Sequence, residues 1–304
     1  MNVIETQDLK KRYGSSRKGV RAVDGISFHV PHGQIFGFLG PNGSGKTTTI
    51  GMLLGIIEPT SGEVRLMGAS GVSGLHAARQ RVGATLETPN FYPYMSGLDN
   101  LRVVANVKGV DRNAIDAALD TVNLTDRRKH RFETYSLGMK QRLALAATLL
   151  GNPELLILDE PANGLDAEGM REVRDVILNF AASGKTVFLS SHLMAEVERT
   201  CTHVAIISKG RIVTQSSMRD ITTSSVQALV RGGDAARLCE TIKRFENVTS
   251  AEVRGGDVVV GLKSDDLAAL NQFAAGQGIY LSHLALHKRP LEDVYMDLTT
   301  TEDA

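Results

Sequence analysis

At 304 residues the chain is long enough for one large or two ordinary domains with a sizeable core. Apolar residues make up 42% and charged residues 22%, which argues against disorder. The 34 basic and 34 acidic residues leave no formal net charge, so the basic footprint of a nucleic-acid binder is missing and no nucleic-acid partner is expected. Cys201 and Cys239 lie far apart without metal-ligand spacing and read as buried free thiols of a reducing compartment. Met1–Glu5 lacks the basic-then-apolar pattern of a signal peptide, and no apolar run approaches the ~18 residues of a membrane span, so a soluble chain is expected.

In chain order, weak alternation over Val3–Leu9 and apolar positions within Gly19–Val30 predict short antiparallel strands, with Tyr13 in the loop between them. Taken alone, Tyr13 reads as a half-buried loop aromatic. The apolar run Ile35–Leu39 then meets Gly40-Pro41-Asn42-Gly43-Ser44-Gly45-Lys46-Thr47-Thr48, a full match to G-x-x-x-x-G-K-[ST], with a helical run over Thr47–Ile57 behind it. Glycines at 40, 43 and 45 let the backbone turn its N–H groups around phosphate oxygens, and the helix N-terminus adds free donors and partial positive charge. Lys46 would neutralise the outer phosphates and the Thr47 hydroxyl would ligand Mg²⁺.

A turn at Glu58–Gly62 leads to a strand over Glu63–Met67, and another strand over Arg81–Leu86 ends at Glu87-Thr88-Pro89. From Ser96 to about Asn152 the period is helical, including the apolar helix Leu143–Leu150, and Ser136 taken alone is explained as an N-cap. Leu155–Leu158 has the four consecutive apolar residues of a strand buried on both faces of a parallel sheet. Asp159 and Glu160 follow at its C-terminal end, where open α/β sheets bind ligands. Asp159 can hold the hydrated Mg²⁺ between β- and γ-phosphates, and Glu160 can polarise an attacking water. After the Asn163-Gly164 loop come an amphipathic helix over Gly169–Phe180 and a buried strand over Thr186–Leu189. That strand delivers His192 to the same sheet edge, in reach of a γ-phosphate. Val204–Ser208 and Arg211–Thr214 form a closing hairpin.

Past about Gln215 the nucleotide signals stop. Ser216–Ser225 reads as a polar linker. Strand Val226–Arg231, helix Ala235–Phe245, strands Thr249–Arg254 and Asp257–Lys263, helix Asp265–Gln277 and strand Ile279–His287 then give the βαββαβ order of a ferredoxin-like domain. A last helix covers Pro290–Leu298. His283 and His287 decorate a strand rather than bind metal, and fold alone gives this domain no function.

These motifs, in this order, resemble the ATP-binding subunit of an ABC transporter over residues 1–215. Within that family the bacterial antibiotic or multidrug exporter type, similar to bacitracin or daunorubicin transport ATPases, shares the Leu291–Tyr295 run and the small C-terminal domain. The resemblance implies an α/β fold, a P-loop NTPase of ABC type with a mixed sheet core, N-terminal antiparallel strands and a helical insertion at about 96–152. A small α+β ferredoxin-like accessory domain would occupy 216–304. It implies ATP and Mg²⁺ as cofactors, with Tyr13 stacking on adenine. Residues 40–48, Lys46 and Thr47 among them, would hold the phosphates, Glu87 and Asp159 would join Thr47 at the metal, and Glu160, His192 and Glu87 would serve hydrolysis.

Ser136 and Gly138 occupy the signature that clamps ATP held by a partner subunit, and Asp166 falls in the loop crossing that interface. Two departures stand out. Glu87 replaces the usual Gln, and the signature reads Tyr-Ser-Leu-Gly-Met rather than Leu-Ser-Gly-Gly-Gln, so Leu137 and Met139 replace a flexible position and an amide. The implied function is an ATPase, a homodimer or one of a pair of ATPase subunits when ATP is bound, that powers a separate integral membrane permease from the cytoplasmic face of the cell membrane, for export of an antibiotic or other small molecule. The rival readings are a nonhydrolysing ATP-dependent interaction module and a soluble ABC-type ATPase acting on nucleic acid or ribosomes.

Overall fold

The structure is a computed structural model that describes residues 1–14, 19–86, 90–223, 226–287 and 290–300. The chain divides into two compact units, Met1–Ser216 and Ser217–Ala304. In the first, β1 (Asn2–Tyr13), β2 (Val20–Pro31) and β3 (Ile35–Leu39) lead to α1 (Lys46–Leu54), β4 (Ser61–Leu66), α2 (Gly71–Arg79) and β5 (Val82–Thr85). A helical stretch follows: α3 (Gly97–Lys108), α4 (Asn113–Thr121) and α5 (Leu137–Leu149). The chain then returns through β6 (Leu155–Asp159), α6 (Ala167–Ala182), β7 (Thr186–Ser191), α7 (Met194–Thr200), β8 (His203–Ser208) and β9 (Arg211–Ser217), whose last residue opens the second unit.

Two sheets build the first unit. β2, β1 and β4 form an antiparallel sheet in that order, and a six-stranded sheet runs β5-β6-β7-β3-β8-β9. The pairs β5/β6, β6/β7, β3/β7 and β3/β8 are parallel. Every residue of β3, β6 and β7 is buried, as strands covered on both faces require. The two sheets meet in one core. Phe28 of the antiparallel sheet lies 5.3 Å from Phe38 and 5.9 Å from Phe188 of the six-stranded sheet, ring centre to ring centre. Ile50, Met52 and Leu53 of α1 join that cluster, so the helix behind the glycine loop is anchored in the core it leaves.

Three sequence expectations need correction. Tyr13 ends β1 instead of sitting in a loop, because its pairing with Val20 extends the β1/β2 hairpin. Helix α2 falls in a stretch assigned no element, since Gly71 and Gly74 break its apolar pattern and Ala78 is its one fully buried residue. The linker-like stretch after Gln215 is ordered through residue 223. β9 reaches Ser217, and Ser217 then caps helix α8 (Met218–Thr223) by accepting the Asp220 N–H at 3.0 Å and donating to the Asp220 carboxylate at 2.7 Å.

The second unit continues with β10 (Val226–Arg231), α9 (Ala235–Ile242), β11 (Val248–Arg254), β12 (Asp257–Leu262), α10 (Leu267–Gly276), β13 (His283–His287) and α11 (Leu291–Thr300). Its sheet order is β11-β12-β10-β13, antiparallel throughout, the ferredoxin-like arrangement. Ala228, Val230, Val258 and Val260 face helices α9 and α10 across a core that includes Leu238, Ile242 and Leu270.

Candidate functional site

β3 delivers the chain at Gly40 to the C-terminal edge of the parallel strands, and the loop from Pro41 to Gly45 turns it into α1. Gly43 has φ +81° and Gly45 φ +109°, and a β-carbon at Gly45 would lie 2.5 Å from the Ala22 carbonyl oxygen. Helix α1 has no side-chain cap at Gly45, and its first internal bond is Thr49 N–H to Gly45. Among the described residues, the backbone N–H groups of Gly43, Gly45, Lys46, Thr47 and Thr48 have no protein acceptor. Five donors thus gather at one helix start, a concave anion site of backbone origin. The Ser44 hydroxyl is buried in the same loop without a partner. Lys46 is 6% exposed, and its ammonium donates to Gly40 O at 2.7 Å and Pro41 O at 3.2 Å while lying 3.2 Å from Glu160 Oε1.

The neighbouring strand ends supply the acidic side. Asp159 ends β6, 2% exposed, in register with Ser190 of β7. Ser190 is the residue that sequence reasoning missed. Its buried hydroxyl donates to the Asp159 carboxylate and accepts the Glu160 N–H at 3.0 Å. That bond pins Glu160 at φ +49°, a left-handed conformation uncommon for a residue with a side chain. The turn carries the Glu160 carboxylate between two cationic or hydrogen-bonding groups: Lys46 on one side, and His192 Nδ1 at 2.8 Å with the His192 N–H at 3.3 Å on the other. The available signal for Ser190 was a pair of hydroxyl residues closing an otherwise apolar buried strand.

Lys46, Asp159, Glu160 and His192 therefore form one connected group. Thr47 and Thr48 open α1 beside it, Thr47 exposed and Thr48 half-buried. Mg²⁺ prefers one or two protein oxygens supplemented by phosphate and water. Asp159 and Thr47 offer that donor set, and among the described residues no cluster of three or more His, Cys, Asp or Glu competes for a metal. Glu87 lies outside the described residues. Tyr13 is 44% exposed at the end of β1, with the Lys11 ammonium over its ring 5.2 Å from the ring centre.

Ser136, Gly138 and Asp166 form a second group. Ser136 caps α5 by accepting the Met139 N–H at 3.3 Å, and Asp166 caps α6 by accepting the Gly169 N–H at 2.9 Å. Both helix starts line a surface cleft of about 410 Å³. Leu137, at the departure from the usual signature, packs over Gly164, where a β-carbon would come within 3.2 Å of Leu137 Cδ2. Among the described residues, no hydrogen bond or ion pair joins this group to Lys46, Asp159, Glu160 or His192.

A strand, a glycine loop with unpaired amides, a buried lysine and an acidic neighbouring strand end define a P-loop nucleotide-binding protein. Residues 23–163 match the family described as ABC transporter. The chain is 34% identical to the bacitracin transport ATP-binding protein BcrA of Enterococcus faecalis, over 97% of this chain and 96% of that protein. Identity is 36% with its Bacillus licheniformis counterpart, over 97% of each, and 34% with the Nod factor export ATP-binding protein I of Burkholderia thailandensis, over 98% and 97%. Among solved structures, an ATP-binding subunit of an ABC transporter superposes with a TM-score of 0.64 at 28% identity, over 73% of this chain and 92% of that one. A dimeric post-hydrolysis ATP-binding cassette bound to ADP and Pi matches in fold with a TM-score of 0.65 at 21% identity, over 71% and 99%. The chain belongs to the ABC transporter family, among its ATP-binding proteins.

Proposed function

We propose that this chain is an ATPase that drives a separate membrane permease exporting an antibiotic or other small molecule. The observation that carries the ATPase reading is the cradle of five unpaired amides closed by Lys46, with Glu160 already facing it. The amides and Lys46 bind the phosphates, and the exposed ring of Tyr13 stacks on the adenine. Thr47 and Asp159, with Glu87 as a further candidate ligand, would hold Mg²⁺, which would neutralise charge on the phosphates. Glu160 takes a proton from water as the water oxygen bonds the γ-phosphorus and the bond from that phosphorus to the oxygen bridging to the β-phosphate breaks, leaving ADP and phosphate. His192 orients the Glu160 carboxylate through its 2.8 Å contact and reaches the γ-phosphate.

The separation of the two groups supports a dimer. The amides of Leu137 and Gly138, at a helix start where Ser136 caps only Met139, suit a phosphate delivered by another copy, with Asp166 at the crossing. The Nod factor export relative supports the export reading and the bacitracin transport relative an antibiotic cargo, and among the described residues no helix is long and apolar enough to cross a membrane. The reading therefore places the chain at the cytoplasmic face, bound to its permease.

The test is phosphate release with Mg²⁺-ATP across protein concentrations, with Glu160→Gln alongside. Turnover should rise more steeply than protein concentration and fall at least ~100-fold in the variant, which should still bind ATP and accumulate dimers. A variant hydrolysing at the parental rate would remove Glu160 from this role. ATP binding without turnover, even with the permease present, would make the chain an interaction module instead.

A further inference from the structure

The second unit carries a surface that the nucleotide site does not use. β13 is the last strand of its sheet, and among the described residues no strand pairs with its outer side. Its sequence, His283-Leu284-Ala285-Leu286-His287, reads the same in both directions about Ala285. Antiparallel pairing of two identical strands about a two-fold axis places residue i opposite residue j and j opposite i. Centred on Ala285, that pairing sets Leu284 against Leu286, His283 against His287 and Ala285 against itself.

The sides of the strand make this pairing productive. Leu284 and Leu286 are in register with Val230 and Ala228, both fully buried, so they lie on the core face of the sheet. Leu284 packs against the core, yet Leu286 is 52% exposed. The core therefore runs out at Leu286, where a Leu284 from a second copy would continue it. The opposite edge strand is defended. β11 has a register shift between Val248 and Ser250, and Glu252 and Arg254 pair with one another at 3.4 Å, with Arg254 also reaching Asp293 at 3.5 Å. A bulge and charges are the usual protections of a sheet edge, and β13 has neither.

We infer that the second unit self-associates through β13, two copies joining edge to edge into one continuous eight-stranded antiparallel sheet with the axis at Ala285. The partner this surface fits is a second copy of the same chain, because the pairing it offers is self-complementary in sequence, in apolar face and in the absence of fixed charge. Backbone bonds between two five-residue strands and one pair of leucine contacts on each side of the axis form a small interface, so the association is reversible and concentration-dependent.

The experiment uses the full chain without nucleotide, which separates this contact from any ATP-dependent closure of the first unit. Ala285→Cys places two thiols across the axis, and Cys201 and Cys239 are buried and do not compete. Under mild oxidation at up to roughly 100 μM chain, a range suited to a small interface, the variant should convert to a disulfide-linked dimer. Adding Leu286→Lys to the same chain should reduce that conversion at least tenfold, while ATP binding, read separately, stays at the parental level. Nucleotide-free chain that sediments as a monomer throughout, with Ala285→Cys uncrosslinked, would overturn the proposal. So would crosslinking that Leu286→Lys leaves unchanged, since random collision would then explain it.

Discussion

The Ser190 hydroxyl stands between the Asp159 carboxylate, to which it donates, and the Glu160 amide, from which it accepts at 3.0 Å. One buried side chain thus fixes both acidic residues of the site. Ser190→Ala leaves a buried carboxylate and a buried N–H each short of a partner and should cost about 1–3 kcal/mol of stability. It should also lower ATP turnover roughly 10- to 100-fold, because Glu160 loses the bond that holds its left-handed backbone. Ser190→Thr, which keeps the hydroxyl, should recover more of the turnover than of the melting temperature. Equal loss of turnover in both variants would show that steric fit, and not the hydroxyl, matters at this position.

The glycine loop offers a graded comparison. Gly43 and Gly45 both have positive φ, but an added β-carbon meets nothing within 4 Å at Gly43 and the Ala22 carbonyl at 2.5 Å at Gly45. Gly43→Ala should cost about 1–2 kcal/mol of backbone strain alone. Gly45→Ala must also move β2 or the loop, so it should lose more stability and abolish binding of a fluorescent ATP analogue. Equal effects in urea titrations would mean that the loop yields more easily than its contacts imply.

Arg174 of α6 lies 3.4 Å from Glu196 of α7, both half-buried, whereas Arg199 reaches the same carboxylate from the surface. Truncating Arg174 should destabilise the chain by about 1–3 kcal/mol, and truncating Arg199 by no more than ~0.5 kcal/mol. Thermal melts of the two single variants check the order, which follows from screening of the exposed pair.

Burial pushes the Cys201 thiol up, well above the ordinary range, so it stays protonated in the folded chain while the unfolded chain ionises near pH ~8.5. The unfolded state then binds fewer protons, and stability should fall with rising pH by up to about 1.4 kcal/mol per unit above that point. Cys201→Ala should flatten that slope between pH 8.5 and 10. The native thiol should also react with maleimide only at the rate of unfolding.

How much of this was legible in sequence depends on the range of the interactions. The glycine loop, the buried runs at Ile35–Leu39 and Leu155–Leu158, and the βαββαβ order are written in local pattern, and the observed strands fall on them within a few residues. The role of Ser190 is not local. It exists only because β6 and β7 pair in a register that places it beside Asp159, 31 positions away. The α8 cap is local but weak, since Ser217 and Asp220 sit in a stretch whose polarity reads equally as linker. Helix α2 hides for the opposite reason, its glycines lowering a helical signal that packing against the rest of the unit restores.

The Lys46 ammonium already has three oxygen partners, one of them Glu160 at 3.2 Å. On the proposed reading, phosphates at this loop would compete with Glu160 and two backbone carbonyls for the three N–H donors of one ammonium. On that reading Lys46 would act as an interlock between the phosphate cradle and the proposed base, since one ammonium bonds the glycine loop and lies 3.2 Å from Glu160.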